Sequence, residues 1–206
     1  MITHHPVDAT LVAAAAGTLP APHLRVLAVH LAHCPACAGA LRAAEAVGGG
    51  LLADLPPAPL RADALDRALA RLDDPAPLPE PASVTPAVTL AGLATGRWRR
   101  ITPWIAMMAL SPRDTTDSRL DLIRVRPGAA LLSHGHTGLE TTCVLQGAFD
   151  DGTAQYGVGD FAEGDPALDH QPRALPGETC VCLIATTGAL RPHGWFGRMV
   201  RPMIGM

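Results

Sequence analysis

Apolar positions in the first third of the chain recur at three and four residues. Leu24, Leu27 and Leu31 form one series and Val26 and His30 a second, which predicts a helix from about His23 toward Cys34. Ahead of it, Leu11-Val12-Ala13-Ala14-Ala15-Ala16 is a helix-forming stretch with a stop signal at Gly17, and His4 and His5 lie just before it. Pro35 suits the first position of a further helix, predicted to run to Val47 and to end at Gly48-Gly49-Gly50. After a loop carrying Pro56, Pro57 and Pro59, the series Leu65, Leu69 and Leu72 makes one more apolar stripe, with Asp63 and Arg67 paired on its polar side. That stripe is either an ordinary buried face or a surface for another protein.

From Asp73 the texture changes. Pro75, Pro77, Pro79, Pro81 and Pro86 leave no room for helix or ladder, which predicts a semi-rigid linker over 75–88. Beyond it, short apolar runs at Ile105–Leu110, Leu120–Val125, Ala129–Leu132, Cys143–Leu145 and Thr179–Thr186 are separated by Gly, Pro and Asp. Such spacing predicts an all-β sandwich or barrel. The expected architecture is a multidomain α plus β chain, with a helical domain over 1–74 and a β domain over 89–206. A linker of this kind leaves the two halves loosely coupled.

Composition excludes some classes of function. The 206 residues carry a formal charge of −3, and all 16 basic residues are arginines. Five arginines face eight acids up to residue 80 and eleven face eleven after it, so neither half is a basic patch for direct nucleic-acid binding. The apolar run from Ala9 to Leu19 is broken by Thr10, Gly17 and Thr18 and lacks the cations that precede a secretory core. No membrane span and a cytoplasmic location are expected. Five cysteines, an odd number, then favour ligand or redox roles over a disulfide framework.

The chemistry concentrates in two places. His30, Cys34 and Cys37 have helical spacing and suit zinc, with His33 an extra candidate and a fourth ligand needed from elsewhere. A domain of about 75 residues rarely gains more than about 3–5 kcal/mol from its core, whereas structural zinc in finger peptides contributes about 10–16 kcal/mol. Metal would therefore decide whether this region folds. In the second half, Gly128, His134, His136, Glu140 and Gly147 give G-x5-H-x-H-x3-E-x6-G, every fixed position of the first motif of the cupin superfamily. Two imidazoles and a carboxylate at that spacing suit zinc, iron, manganese or nickel.

The second cupin motif, G-x5-P-x-G-x2-H-x3-N, is eroded. Gly159 and His170 keep their distance, but Pro166 is one residue late, Ala167 replaces a glycine and Ala174 the asparagine. Only His170 carries over, as the fourth ligand, with Asp165 and Asp169 as candidates to support it. Cys180 and Cys182 share a face of a predicted strand and are not expected to bond to each other, since their Cβ atoms should be about 6.6 Å apart against about 4 Å for a disulfide. A redox or ligand role competes there with inert burial, and Cys143 is expected in the core. Arg97, Arg99 and Arg100 beside Trp98 are expected to form a solvated face, and His4, His23, His33 and His193 to be solvated or packed.

An H-x3-C-x2-C helix pair joined through a proline-rich linker to a cupin resembles the ChrR family of zinc-binding anti-sigma factors over nearly the whole chain. The resemblance implies that His5 completes the zinc site with His30, Cys34 and Cys37, and that His134, His136, Glu140 and His170 hold zinc or another divalent metal in the cupin barrel. It also matches the Cys180-Val181-Cys182 pair to a Cys-x-Cys of the family. What it implies for function is a cytoplasmic anti-sigma factor, not an enzyme. The helical domain, with Leu65, Leu69 and Leu72 as contacts, would clamp an extracytoplasmic-function sigma factor. The cupin would sense singlet oxygen, related reactive oxygen species or organic peroxide in an oxidative stress response, after which a cytoplasmic protease degrades the chain. The alternative is a metal-dependent cupin enzyme, a dioxygenase or isomerase, with an N-terminal oligomerisation module. Against it, the chain has one tyrosine and few convergent polar residues in its strand segments.

Overall fold

The structure, a computed structural model, describes residues 2–72 and 96–192. The expected linker over 75–88 and His193 lie outside the described residues. Four helices come first: α1 (Asp8–Ala15), α2 (Ala21–His33), α3 (Pro35–Ala53) and α4 (Ala64–Ala70). α1 stops at Gly17, whose φ of +68° lets the Thr18 and Leu19 amides fold back on the Ala13 carbonyl. Cys34 is extended (φ −119°, ψ 93°) and Pro35 opens α3, because a proline pushes the residue before it out of helical geometry. The junction expected at Cys34 is therefore real.

Two local expectations fail. α3 does not end at Gly48 but carries all three glycines inside it to Ala53. Glycine costs a helix only about 1 kcal/mol relative to alanine, while the pair Pro56-Pro57 ends it outright. Asp63 does not pair with Arg67 either. It stands just outside α4, where its carboxylate accepts from Arg61 at 3.1 Å while its carbonyl accepts the Arg67 amide.

Eleven strands follow among the described residues: β1 (Arg99–Arg100), β2 (Ile105–Ser111), β3 (Ser118–Val125), β4 (His134–His136), β5 (Glu140–Gln146), β6 (Phe149–Asp150), β7 (Gln155–Tyr156), β8 (Phe161–Gly164), β9 (Arg173–Ala174), β10 (Cys180–Thr187) and β11 (Leu190–Pro192). The main sheet runs β1-β2-β3-β10-β5-β8, entirely antiparallel, and β11-β4 and β7-β6-β9 form smaller sheets. The strand expected at Ala129–Leu132 is absent, since that segment leaves a turn in which the Ala129 amide bonds back to Arg126 and makes one isolated bridge, Ala130 to Arg173.

Alternation along β3 and β10 sends the two sets of side chains to different cores. Val125, Cys180 and Cys182 join Phe149 inside the barrel. Leu120, Leu122, Val181, Leu183 and Ala185 face outward, yet are buried, because Val26, Leu27, Val29 and Leu31 of α2 pack against them in one continuous core. α2 contacts β3, β5 and β10 directly. The two halves are thus joined through a shared core, and the loose coupling inferred from the linker is overturned.

His23 is the polar rivet of this junction. It is fully buried, with Nδ1 2.9 Å from Thr141 Oγ1 and Nε2 2.8 Å from Thr187 Oγ1. Burial lowers its pKa from 6.5 to about 4, with Asp114 opposing the shift. Because the folded pKa lies below the unfolded one, the unfolded chain binds more protons between those values. Stability from this group is full above about pH 6.5 and is lost as pH falls toward 4, by on the order of 3 kcal/mol. The melting temperature of wild type should fall over that window more steeply than that of a His23→Gln variant, and equal slopes would remove His23 as the cause.

Candidate metal centres

The first centre forms where α2 ends, α3 begins and the segment before α1 crosses them. One ligand atom from each of His5, His30, Cys34 and Cys37 lies within 4.8 Å of the others. His5 Nδ1 is 3.4 Å from Cys34 Sγ and 3.2 Å from Cys37 Sγ. His30 donates from Nδ1 to the Gly159 carbonyl at 2.7 Å, while its buried Nε2 has no hydrogen-bond partner among the described residues. A ring fixed by a carbonyl at one nitrogen and aimed at two thiols with the other is how a ligating histidine is held. Burial and the neighbouring Cys34 push the Cys37 thiol up to about 12. A bound cation is what would favour the thiolate, and two sulfurs with two nitrogens suit tetrahedral zinc. His33 instead bonds back to the Val29 carbonyl at 2.9 Å and takes no part.

The second centre sits in the barrel. β4 presents His134 and His136, β5 opens with Glu140, and the loop before β9 brings His170, all with ligand atoms within 4.8 Å. Paired backbone bonds of 3.0 Å between His134 and His170 bring the loop against β4. His170 Nε2 stands 3.2 Å from both His134 Nε2 and His136 Nε2. His134 donates from Nδ1 to the Leu132 carbonyl at 2.7 Å, which leaves its Nε2 facing inward. Burial raises Glu140 to about 8, and burial with the nearby His134 and His170 lowers His136 to about 4. Three imidazoles facing a buried carboxyl offer a donor set that fits zinc or another divalent cation. Burial lowers the pKa of both His136 and His170, with Asp169 opposing the shift, and the Asp169 carboxylate lies where a side chain at Gly135 would have to go. Asp165 instead caps its own turn, accepting from Ala167.

A family model described as the ChrR cupin-like domain matches residues 88–190. The anti-sigma-E factor ChrR of Cereibacter sphaeroides is 37% identical over 209 residues, covering 98% of this chain and 97% of that protein. The chain belongs to the ChrR family. The crystal structure of Rhodobacter sphaeroides SigE in complex with the anti-sigma ChrR superposes with a TM-score of 0.76 at 38% identity, covering 90% of this chain and 99% of that one. An RmlC-like cupin protein from Ralstonia eutropha is 14% identical with a TM-score of 0.46, over 55% of this chain and 74% of that one.

In this ChrR-family chain, Cys180 and Cys182 line the cavity that reaches His134, Glu140 and His170. Their thiols are 3.6 Å apart. The separation inferred from strand spacing described Cβ atoms only. A register shift between Val181 and Cys182 opposite β5 accompanies the approach of the two thiols. Cys143 is fully buried on the other face, as expected, with its thiol pushed up to about 12. Arg99 and Arg100 are exposed, and Trp98 is covered by the Arg124 guanidinium at 4.7 Å.

Leu65, Leu69 and Leu72 are exposed by 68%, 53% and 76%, which overturns the buried-face alternative. Val47, Leu51, Leu52, Leu55 and Leu60 are exposed too, a continuation hidden by the expectation that α3 stops at its glycines. No helix among the described residues is long and apolar enough to cross a membrane.

Metal analysis of purified protein should give two divalent ions per chain, and one in either Cys37→Ser or His136→Ala. Two ions retained in either variant would remove that ligand set.

Proposed function

We propose that the chain is an anti-sigma factor whose helical half binds and inhibits an extracytoplasmic-function sigma factor. The observation that carries this reading is a leucine face left exposed among the described residues, in a chain aligned over 90% of its length with a ChrR that was crystallised with SigE. Zinc at His5, His30, Cys34 and Cys37 would hold α1, α2 and α3 together. Leu65, Leu69 and Leu72 would meet the sigma factor, where buried aliphatic anchors can supply binding energy without charge. A net charge of −3 gives no support to direct nucleic-acid binding, and a partner that works with RNA polymerase would keep the chain in the cytoplasm.

The cupin half is assigned to sensing, with singlet oxygen, related reactive oxygen species or organic peroxide as the signal. A metal centre and two touching thiols on one apolar cavity support this. With a peroxide ROOH, Cys180 and Cys182 would form a disulfide, each thiol giving up its proton and the pair two electrons, while the O–O bond breaks to leave ROH and water. Release of sigma would then expose the chain to a cytoplasmic protease. The enzyme alternative has less support: a relative matching 98% of the chain is named an anti-sigma factor, and the cavity walls are mainly apolar.

Replacing Leu65 and Leu69 together by Asp should weaken sigma binding at least about 30-fold by titration calorimetry, the equivalent of about 2 kcal/mol for one hot spot. The melting temperature should hold, since α4 buries no residue; unchanged affinity would move the contact elsewhere. In the full chain bound to sigma, His136→Ala should slow oxidant-triggered dissociation followed by gel filtration, and wild-type release would sink the sensor assignment.

A further inference from the structure

All four candidate ligands of the first metal centre lie in the helical half, but residues of the cupin half hold two of them in place. Three consecutive cupin residues, Gly159, Asp160 and Phe161, contact the residues that hold its two histidine ligands. The Gly159 carbonyl receives His30 Nδ1 at 2.7 Å. Asp160 Oδ1 accepts the backbone amides of Thr3 at 2.7 Å and His4 at 3.0 Å, immediately ahead of His5. The Phe161 amide donates to the His4 carbonyl at 3.1 Å, and its ring meets His30 edge-on at 5.5 Å. Further along β8, Glu163 accepts the Val7 amide at 3.3 Å, so the segment carrying His5 is held on both sides of that ligand.

The far end of the same strand belongs to the second centre. Gly164 is the β-partner of Glu140, and a side chain at Gly164 would sit 3.5–3.6 Å from the His136 ring. From Phe161 to Gly164 is three residue steps, about 10 Å at roughly 3.3 Å per residue. A short strand within a packed sheet shifts as a unit rather than stretching, and such elements carry energetic coupling between sites.

We propose that β8 joins the two metal centres, with Asp160 as a positioning residue for the His5–His30–Cys34–Cys37 site and metal at the cupin site strengthening metal binding at the first. This deepens the sensor reading, on which its biological use rests, by giving the cupin a route to the sigma-binding half. The coupling is reciprocal, as any equilibrium linkage between two bound ions must be.

The test uses the full chain loaded with Co²⁺, without any sigma factor, so failure of the anti-sigma reading leaves it interpretable. Thiolate-to-cobalt charge transfer reports the first centre alone, because the four cupin ligands include no sulfur. Competition with a chelator should show Asp160→Ala binding Co²⁺ there about 10–100-fold more weakly than wild type, the usual cost of losing an outer-sphere partner. Asp160→Asn keeps an oxygen for the Thr3 and His4 amides and should stay within about threefold. His136→Ala, which disables the cupin site, should weaken the first centre by about fivefold or more, and should add nothing to Asp160→Ala. Wild-type affinity in Asp160→Ala, or no rescue by Asn, would overturn the positioning role. An undisturbed first centre in His136→Ala would overturn the coupling. Should Asp160→Ala not fold, Gly159→Ala carries the same test. At φ +86°, with Ile2 only 3.0 Å from the new Cβ, that change displaces the carbonyl that orients His30 and should weaken the first centre equally; wild-type affinity would again overturn the role.

Discussion

The burial of α2 against the outer face of the sheet is the contact on which the rest of the molecule depends. The helical half has few residues for a core of its own: α4 buries none and α3 only Cys37 and Leu41. Small domains of this size are marginal without a staple or a partner surface. Here both are supplied. Metal would gather the ends of α2 and α3, and Leu120, Leu122 and Leu183 provide the apolar floor beneath α2. The same contact closes the outer face of the barrel, so each half taken alone would leave part of this shared core uncovered.

The two centres set similar electrostatic problems in different materials. Burial raises Cys37 in one and Glu140 in the other toward their protonated forms. In each case a divalent cation is the counter-charge that makes the anionic ligand acceptable in a dry place. The difference lies in surroundings. Three ligands of the sulfur-containing centre are buried among packed helices and the Gly159–Phe161 segment, with His5 at its exposed edge. The nitrogen- and oxygen-rich centre opens on an apolar cavity shared with Cys180 and Cys182.

Much of this was legible from spacing. His30, Cys34 and Cys37 are local in sequence, on either side of the α2–α3 junction, and His134, His136 and Glu140 follow one short motif, whereas His170 came from the eroded second motif. His5 came from family resemblance, since its approach depends on how the segment before α1 crosses α2 and α3. The docking of α2 was missed because a linker argues only about connectivity. A signal existed. α2 carries apolar residues at Leu24, Val26, Leu27, Val29 and Leu31, more than one stripe, and a helix apolar over most of its circumference is one that is buried on several sides. The contact of Cys180 with Cys182 was missed for another reason: strand geometry places Cβ atoms, and rotamers place sulfurs.

The bare aliphatic surface of α3 and α4 has a consequence for how such a chain must be made. Eight large side chains, from Val47 to Leu72, are exposed among the described residues. A surface of that kind would favour self-association and attract quality control, so a surplus of chain over a partner that covers it would be short-lived. Abundance would then be governed less by the rate of synthesis than by the supply of whatever covers those leucines. The ratio of the two proteins would become self-correcting, a form of dosage control written into the solubility of one helical face.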